Sequence, residues 1–222
     1  MSQVPKEDVI NRIRMVGKRY FENAPSSHDW LHVQRVLKMC MIIGEKEGAD
    51  LRVLKLASLL HDIARQEEDE SHGQVCHAKR GAELAEEILR KHGIDKETIR
   101  QVNHCILAHR FRNRKLAATI EAKVLFDADN LDAVGAIGIA RSFAFAGENN
   151  LKLYTKEHLA LKKAPAALID YHKHTPVLEF KSKLLQVKKA MQTKTGSEIA
   201  EKRHNILLEF LTQFEKEVQG HL

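Results

Sequence analysis

An all-α fold, a helical bundle with extra C-terminal helices, is what this sequence predicts, and three observations carry that prediction. Only four prolines and eleven glycines are spread over 222 residues, so few positions break a helix. Leu, Ala, Lys and Glu recur throughout, and these side chains lose little freedom on entering a helix. Apolar residues return every three to four positions along most of the chain, the period of a helix with one buried face. With 43% hydrophobic and 30% charged residues, the chain can close a continuous core of its own.

Val9, Ile10, Ile13, Val16 and Phe21 place a first helix over 6–21, ended by Asn23-Ala-Pro25. Ser26 and Ser27 are expected to cap a second helix, whose apolar face is Leu31, Val36, Met39, Ile42 and Ile43. His28 and His32 stand one turn apart there. LRVLKLASLLHDI, residues 51–63, follows the turn signal Gly48-Ala-Asp50 and is apolar enough to be the central helix, with His61 and Asp62 at its end. RQEEDESHG, residues 65–73, has no apolar face and is expected to be an exposed loop.

Two amphipathic helices follow over 78–91 and 96–108, separated by Gly93, with Asp95 capping the second. Residues 117–146 are apolar and rich in small residues apart from their carboxylates, which predicts two helices in the core. Residues 147–176 look irregular, basic and histidine-containing, and are expected to cover a site opening. Two further helices are expected over 177–191 and 197–218, joined by Thr193-Lys-Thr-Gly196 and with Ser197 as cap. The organisation expected is a core over 1–146 and a C-terminal helical extension over 147–222, packed on the core.

Three widely separated cysteines, Cys40, Cys76 and Cys105, suggest neither a disulfide framework nor a CxxC zinc site. The opening stretch is charged throughout, and no run reaches the apolar length that spans a bilayer, so a cytoplasmic protein without membrane attachment is expected. A net charge of +6 suits an anionic ligand, because positive potential concentrates phosphates near the surface.

His61 beside Asp62, directly after the apolar run KLASLL, is physically unusual because an unpaired buried charge is costly. A divalent cation would remove that cost. The plainer alternative is a helix-terminal histidine next to a capping aspartate. His32 within SHDWLHVQRV and Asp129 within FDADNLDA tip the balance, since three separate apolar segments then each present a ligand-type side chain.

With these residues in view, the sequence resembles the HD-domain superfamily of metal-dependent phosphohydrolases, in its nucleotide-hydrolase-like branch. The family pattern is a His, a His-Asp pair and a distant Asp, here His32, His61-Asp62 and Asp129. HVQRV, LLHDI, CHAKRGAELAEEIL and EAKVLFDADNLDAVGAIGIAR extend the match over roughly residues 10–145. The resemblance implies a helical bundle around one divalent metal ion, Mn²⁺, Mg²⁺ or another transition metal, held by His32, His61, Asp62 and Asp129. Asp129 is preferred to Asp127 and Asp132 because it matches the family's last ligand. Two imidazoles and two carboxylates form a mixed nitrogen and oxygen site with positions left for water or phosphate oxygens.

Such a metal lowers the pKa of its water and draws charge from phosphoryl oxygens, and Asp62 is expected to act also as the proton acceptor. Substrate contacts are expected from His28, Arg65, His77, His109, Lys18 and Arg35. In some relatives, histidines at about the places of His77 and His109 bind substrate or a second metal. His92, His104, His158, His172 and His174 are expected to be solvated, and Trp30 to pack in the core. Relatives with nucleoside monophosphatase activity carry a Glu three positions after the paired Asp, where this chain has Arg65. That departure points toward a polyphosphate substrate, a nucleoside or deoxynucleoside triphosphate, since guanidinium groups bind phosphate oxygens in pairs. A cyclic-nucleotide phosphodiesterase or alarmone hydrolase is the second reading, and a noncatalytic nucleotide-sensing or nucleic-acid-binding module the third. A homodimer is compatible with all of them.

Overall fold

The computed structural model describes residues 7–111, 117–161 and 174–221, and all regular structure among them is helical. Contacts gather the chain into two compact units, one of residues up to 24 with 28–129, the other of 25–27 with residues from 130 onward. The change from one to the other falls inside α7, Ile120–Asp132.

In the first unit α3, Leu51–Leu60, is the axis. Val53, Leu54, Leu56, Ala57, Leu59 and Leu60 are all buried, so most of the helix surface is hidden and only the side of Arg52 and Lys55 stays half-open. Around it pack α1, Glu7–Arg19; α2, Trp30–Glu47; and α6, Lys96–Ala108. The short α4, Arg65–Glu70, and α5, His77–Lys91, complete the layer, with α5 lying along α6.

Local chemistry sets where these helices begin. The Asp29 carboxylate accepts from the backbone N–H groups of Leu31 and His32 at 3.0 and 3.2 Å, which starts α2 at Trp30. Ser26 and Ser27, expected as caps, instead open a 3-10 turn over Ser26–His28; a carboxylate at position 29 meets two orphan donors where a serine further back reaches none. Gly48 at φ +71° closes α2 in the left-handed conformation. Asp50 caps α3 through Arg52 and Val53, and its own N–H donates to Glu121 at the start of α7 at 3.0 Å. Asp95 caps α6 as expected.

Residues 65–73 are not the exposed loop that their composition suggested. Arg65–Glu70 is a helical turn, and Glu68 within it is buried. The polar string conceals an inward-facing acid, which a search for apolar periodicity cannot detect. Trp30 is half-buried and lies against Phe21, ring centres 5.6 Å apart, in keeping with a packing role.

The second unit contains α8, Gly135–Glu148; α9, Lys156–Ala160; α10, Pro176–Glu179; α11, Leu185–Ala190; and α12, Lys194–Val218. Phe143 on α8 meets Phe180, Phe210 and Phe214 with ring centres 5.8–6.0 Å apart, and Tyr154 closes on Phe214 at 5.7 Å. The single helix expected over 177–191 is interrupted by a π-helical turn at Phe180–Leu184. Ser197 is not the cap of the last helix: Thr193 accepts from the Gly196 N–H, and α12 starts three residues earlier. His174, expected to be solvated, is buried and paired with Glu179 at 3.0 Å. His172 and residues 162–173 of the expected irregular segment lie outside the described residues.

A Cβ at Gly138 in α8 would stand 2.1 Å from the Ala133 carbonyl oxygen. Gly138→Ala should therefore destabilise the protein by about 1–3 kcal/mol, although alanine is ordinarily the better helix former. Thermal unfolding followed by circular dichroism checks this, and a variant that melts at or above the parent would contradict the close approach.

Candidate metal centre

The site is assembled from helix ends of the first unit. His32 lies in the first turn of α2, in register because Asp29 caps that turn. His61 and Asp62 follow the last residue of α3, where the chain turns toward α4. His77 is the first residue of α5, His109 follows the last residue of α6, and Asp129 reaches in from α7. His28 ends the 3-10 turn before α2. His32, His61, Asp62, His77 and His109 are all buried.

Asp62 is the hub. Its Oδ2 contacts His28 Nε2 and lies 3.7 Å from His32 Nε2 and 3.6 Å from His61 Nε2. Its Oδ1 lies 3.5 Å from His77 Nε2 and 3.3 Å from His109 Nε2, yet makes no hydrogen bond among the described residues. Asp129 Oδ1 stands 3.4 Å from His32 Nε2 and 3.7 Å from His61 Nε2. The ligand-type atoms fall into three overlapping sets, each within 4.8 Å: His28, His32 and Asp62; His32, His61 and Asp129; Asp62, His77 and His109.

The outward nitrogens decide what the inward ones present. His61 Nδ1 donates to the Ser58 carbonyl at 2.8 Å, and His109 Nδ1 to the Ile106 carbonyl at 2.5 Å. Carbonyls only accept, so both Nδ1 atoms carry the hydrogen and both Nε2 atoms of the neutral rings offer lone pairs. His77 Nδ1 likewise bonds the Glu68 carboxylate. His77 and His109 then face each other Nε2 to Nε2 at 3.2 Å, and His32 and His61 do so at 3.3 Å. The two lone pairs of His77 and His109 at that separation need a proton or a cation between them. Orienting acceptors behind imidazoles, and a buried carboxylate oxygen with no donor, match the donor set a divalent cation requires.

Electrostatics agree. Burial pushes the Asp62 carboxyl up, but His61, His28 and His109 overcome it and hold the group ionised well below the usual carboxylate range. Asp129 is held down in the same way by His32 and His61, against its burial. Burial lowers His61, but the Asp62 and Asp129 carboxylates and the Ser58 carbonyl raise it from 6.5 to about 9.

The remaining expected residues have diverse settings. Arg65 pairs with Glu68 and Asp69 on its own helix at 3.5 and 3.4 Å. Lys18 is exposed in the last turn of α1, and Arg35 is half-buried on α2, three residues beyond His32. Asp127 is fully buried, while Asp132 in the second unit binds Arg141 at 2.8 Å. Glu68, which the sequence reading passed over, pairs with His77 and Arg110 and is held below its ordinary range by His77, Arg65 and Arg110 against burial. Its only trace in the sequence is an acid nine positions before a histidine.

Comparison with known proteins gives consistent matches. The HD domain family matches residues 30–134. The YpgQ protein of Bacillus subtilis is 39% identical over 213 residues, spanning 94% of this chain and 93% of its own. The crystal structure of YpgQ in complex with ADP has a TM-score of 0.73 at 31% identity, covering 96% of this chain and 97% of that one. An HD-superfamily hydrolase from Bacillus thuringiensis has a TM-score of 0.71 at 30% identity, covering 96% and 98%. Ribonuclease Y of Geobacter metallireducens is 30% identical over 97 residues, which is 44% of this chain and 17% of that protein.

The shifted groups predict a pH dependence for the cation-free chain. His61 binds its proton more tightly folded than unfolded, so its contribution to stability is complete below pH 6.5 and is lost as pH rises through about 9. Asp62 and Asp129 act oppositely, contributing above 3.8 and losing that contribution as pH falls below it. Chelator-treated protein should show a melting temperature that declines from pH 6.5 toward 9, and added Mn²⁺ should flatten the decline because the cation replaces the proton. A flat profile for the chelated protein would contradict the assignment.

Proposed function

The chain belongs to the HD superfamily of hydrolases, and from that premise we propose that it is a metal-dependent phosphohydrolase acting on a small nucleotide. The observation that supports this reading is Asp62, with one oxygen toward His32 and His61 and the other toward His77 and His109. In this reading His32, His61, Asp62 and Asp129 would hold one divalent cation, and His77 and His109 beside Asp62 would hold a second. Bound cations there supply an acidified water and neutralise charge that develops on phosphoryl oxygens.

The chain's own groups do the rest. In this reading Asp62 is the acceptor of the attacking water's proton, and the His28 Nε2–H that donates to its Oδ2 holds the carboxylate in orientation. Helix-end backbone and buried imidazoles exclude bulk water from the carboxylate, which strengthens each electrostatic contact. A nucleoside triphosphate is the favoured substrate, deoxynucleotides included, because Arg65 replaces the acid of the monophosphatase pattern and the net charge is +6. ADP in the YpgQ crystal supports a nucleotide ligand. The likeness to Ribonuclease Y, confined to a short part of that protein, favours a second reading in which the cleaved bond is an RNA phosphodiester.

A nucleotide panel and a short RNA, incubated with Mn²⁺, Mg²⁺ or Co²⁺ and assayed for phosphate, pyrophosphate and chain cleavage, distinguishes these readings. Metal-dependent release from a triphosphate is expected, and His61→Ala and Asp62→Ala should each lower it by at least ~100-fold. Asp62→Asn with the metal retained and turnover unchanged would remove the proton-acceptor role. Nucleotide binding without any turnover would turn the reading into that of a sensing module.

A further inference from the structure

We infer that Glu68 is a positioning residue for the Asp62, His77 and His109 half of the cluster, holding His77 directly and the His109 segment through Arg110. The inference rests on the cation reading above and assigns a role to a residue outside its donor set. Glu68 is buried, in a helical turn that starts three residues after Asp62. One of its carboxylate oxygens takes the His77 Nδ1 hydrogen. The other lies 2.6 Å from Arg110 Nη2, and Arg110 directly follows His109.

Three chain segments therefore meet at one acid: the turn after His61-Asp62, the start of α5 and the end of α6. The effect on His77 is chemical as well as spatial. A carboxylate accepts and cannot donate, so it keeps the hydrogen on Nδ1 and leaves the Nε2 lone pair aimed at Asp62 and His109. Arg110 also donates to Cys76 Sγ at 3.2 Å, one residue before His77. The guanidinium thus links the two ends that carry the histidines. His61 and His109 obtain the equivalent hold from backbone carbonyls of their own helices. His77, as the first residue of its helix, has no such carbonyl one turn behind it, and Glu68 takes that place.

The test is calorimetric titration of the chelator-stripped full-length chain with Mn²⁺, comparing parent, Glu68→Ala, Glu68→Gln and His77→Ala, with folding followed by circular dichroism. Glu68→Ala should weaken by ten- to a hundredfold the same binding event that His77→Ala abolishes, and leave the His32, His61 and Asp129 event at parent affinity. Glu68→Gln keeps an accepting oxygen and should lose less, which a purely structural role for the acid would not produce. It also carries the test if the alanine variant does not fold. A folded Glu68→Ala chain that takes up Mn²⁺ with the parent's stoichiometry and affinity, or loses all events equally, overturns the positioning role while leaving the cation reading intact. A parent that takes up no Mn²⁺ overturns both.

Discussion

A carboxylate held away from water at the centre of a ring of imidazoles is the constraint on which the first unit depends. Asp62 is 4% exposed and ionised, and an ion in that position is destabilising unless positive charge or donors surround it. Imidazoles from four neighbouring segments approach it, and each approach requires a particular helix to start or stop at a particular residue. The fold of the unit can be understood as the arrangement of helix ends that brings those rings to one acid.

Capping chemistry makes that arrangement reproducible. Asp29 begins α2 so that His32 falls in its first turn, Asp50 begins α3 so that its tenth residue is Leu60, and Asp95 begins α6 so that His109 falls at its close. An N-cap contributes on the order of 1 kcal/mol, a small share of the stability of a domain. Its larger effect here is register, because a slip of one residue turns an imidazole about 100° around its helix axis. The largely buried α3 provides the support, since a helix with neighbours against most of its surface resists rotation.

Much of this was legible in the sequence. The periodicity of apolar residues located nearly every helix of the first unit, and His32, His61, Asp62 and Asp129 stood out as ligand types set into apolar segments. What escaped was information that only the third dimension holds. Glu68 sits in a polar string with no period, so nothing local separates it from Glu67 or Glu70, yet it alone of these is buried. The caps at Ser26 and Ser197 failed for a related reason: several side chains near each start could accept a hydrogen bond, and which one does depends on the angle at which the chain enters the helix. The π-helical turn at Phe180–Leu184, whose first residue lies against Phe143 and Phe210, has no signature in the local sequence.

The charge count around Asp62 explains why a cluster of this composition suits an anionic substrate. Asp62 and Asp129 carry two negative charges, and Glu68 is offset by Arg110. Without a cation the balance falls to the histidines, which is why His61 retains its proton to about 9. One divalent ion cancels both carboxylates and lets every ring be neutral, as a nitrogen ligand must be. A second divalent ion leaves a surplus of two positive charges in a region shielded from water, where an uncompensated charge is costly. A phosphate group is the complement of that surplus in charge, and its oxygens suit the ligand positions that imidazoles and carboxylates leave open. The imbalance that would make a doubly loaded site unfavourable on its own is thus what would draw a phosphorylated substrate into it.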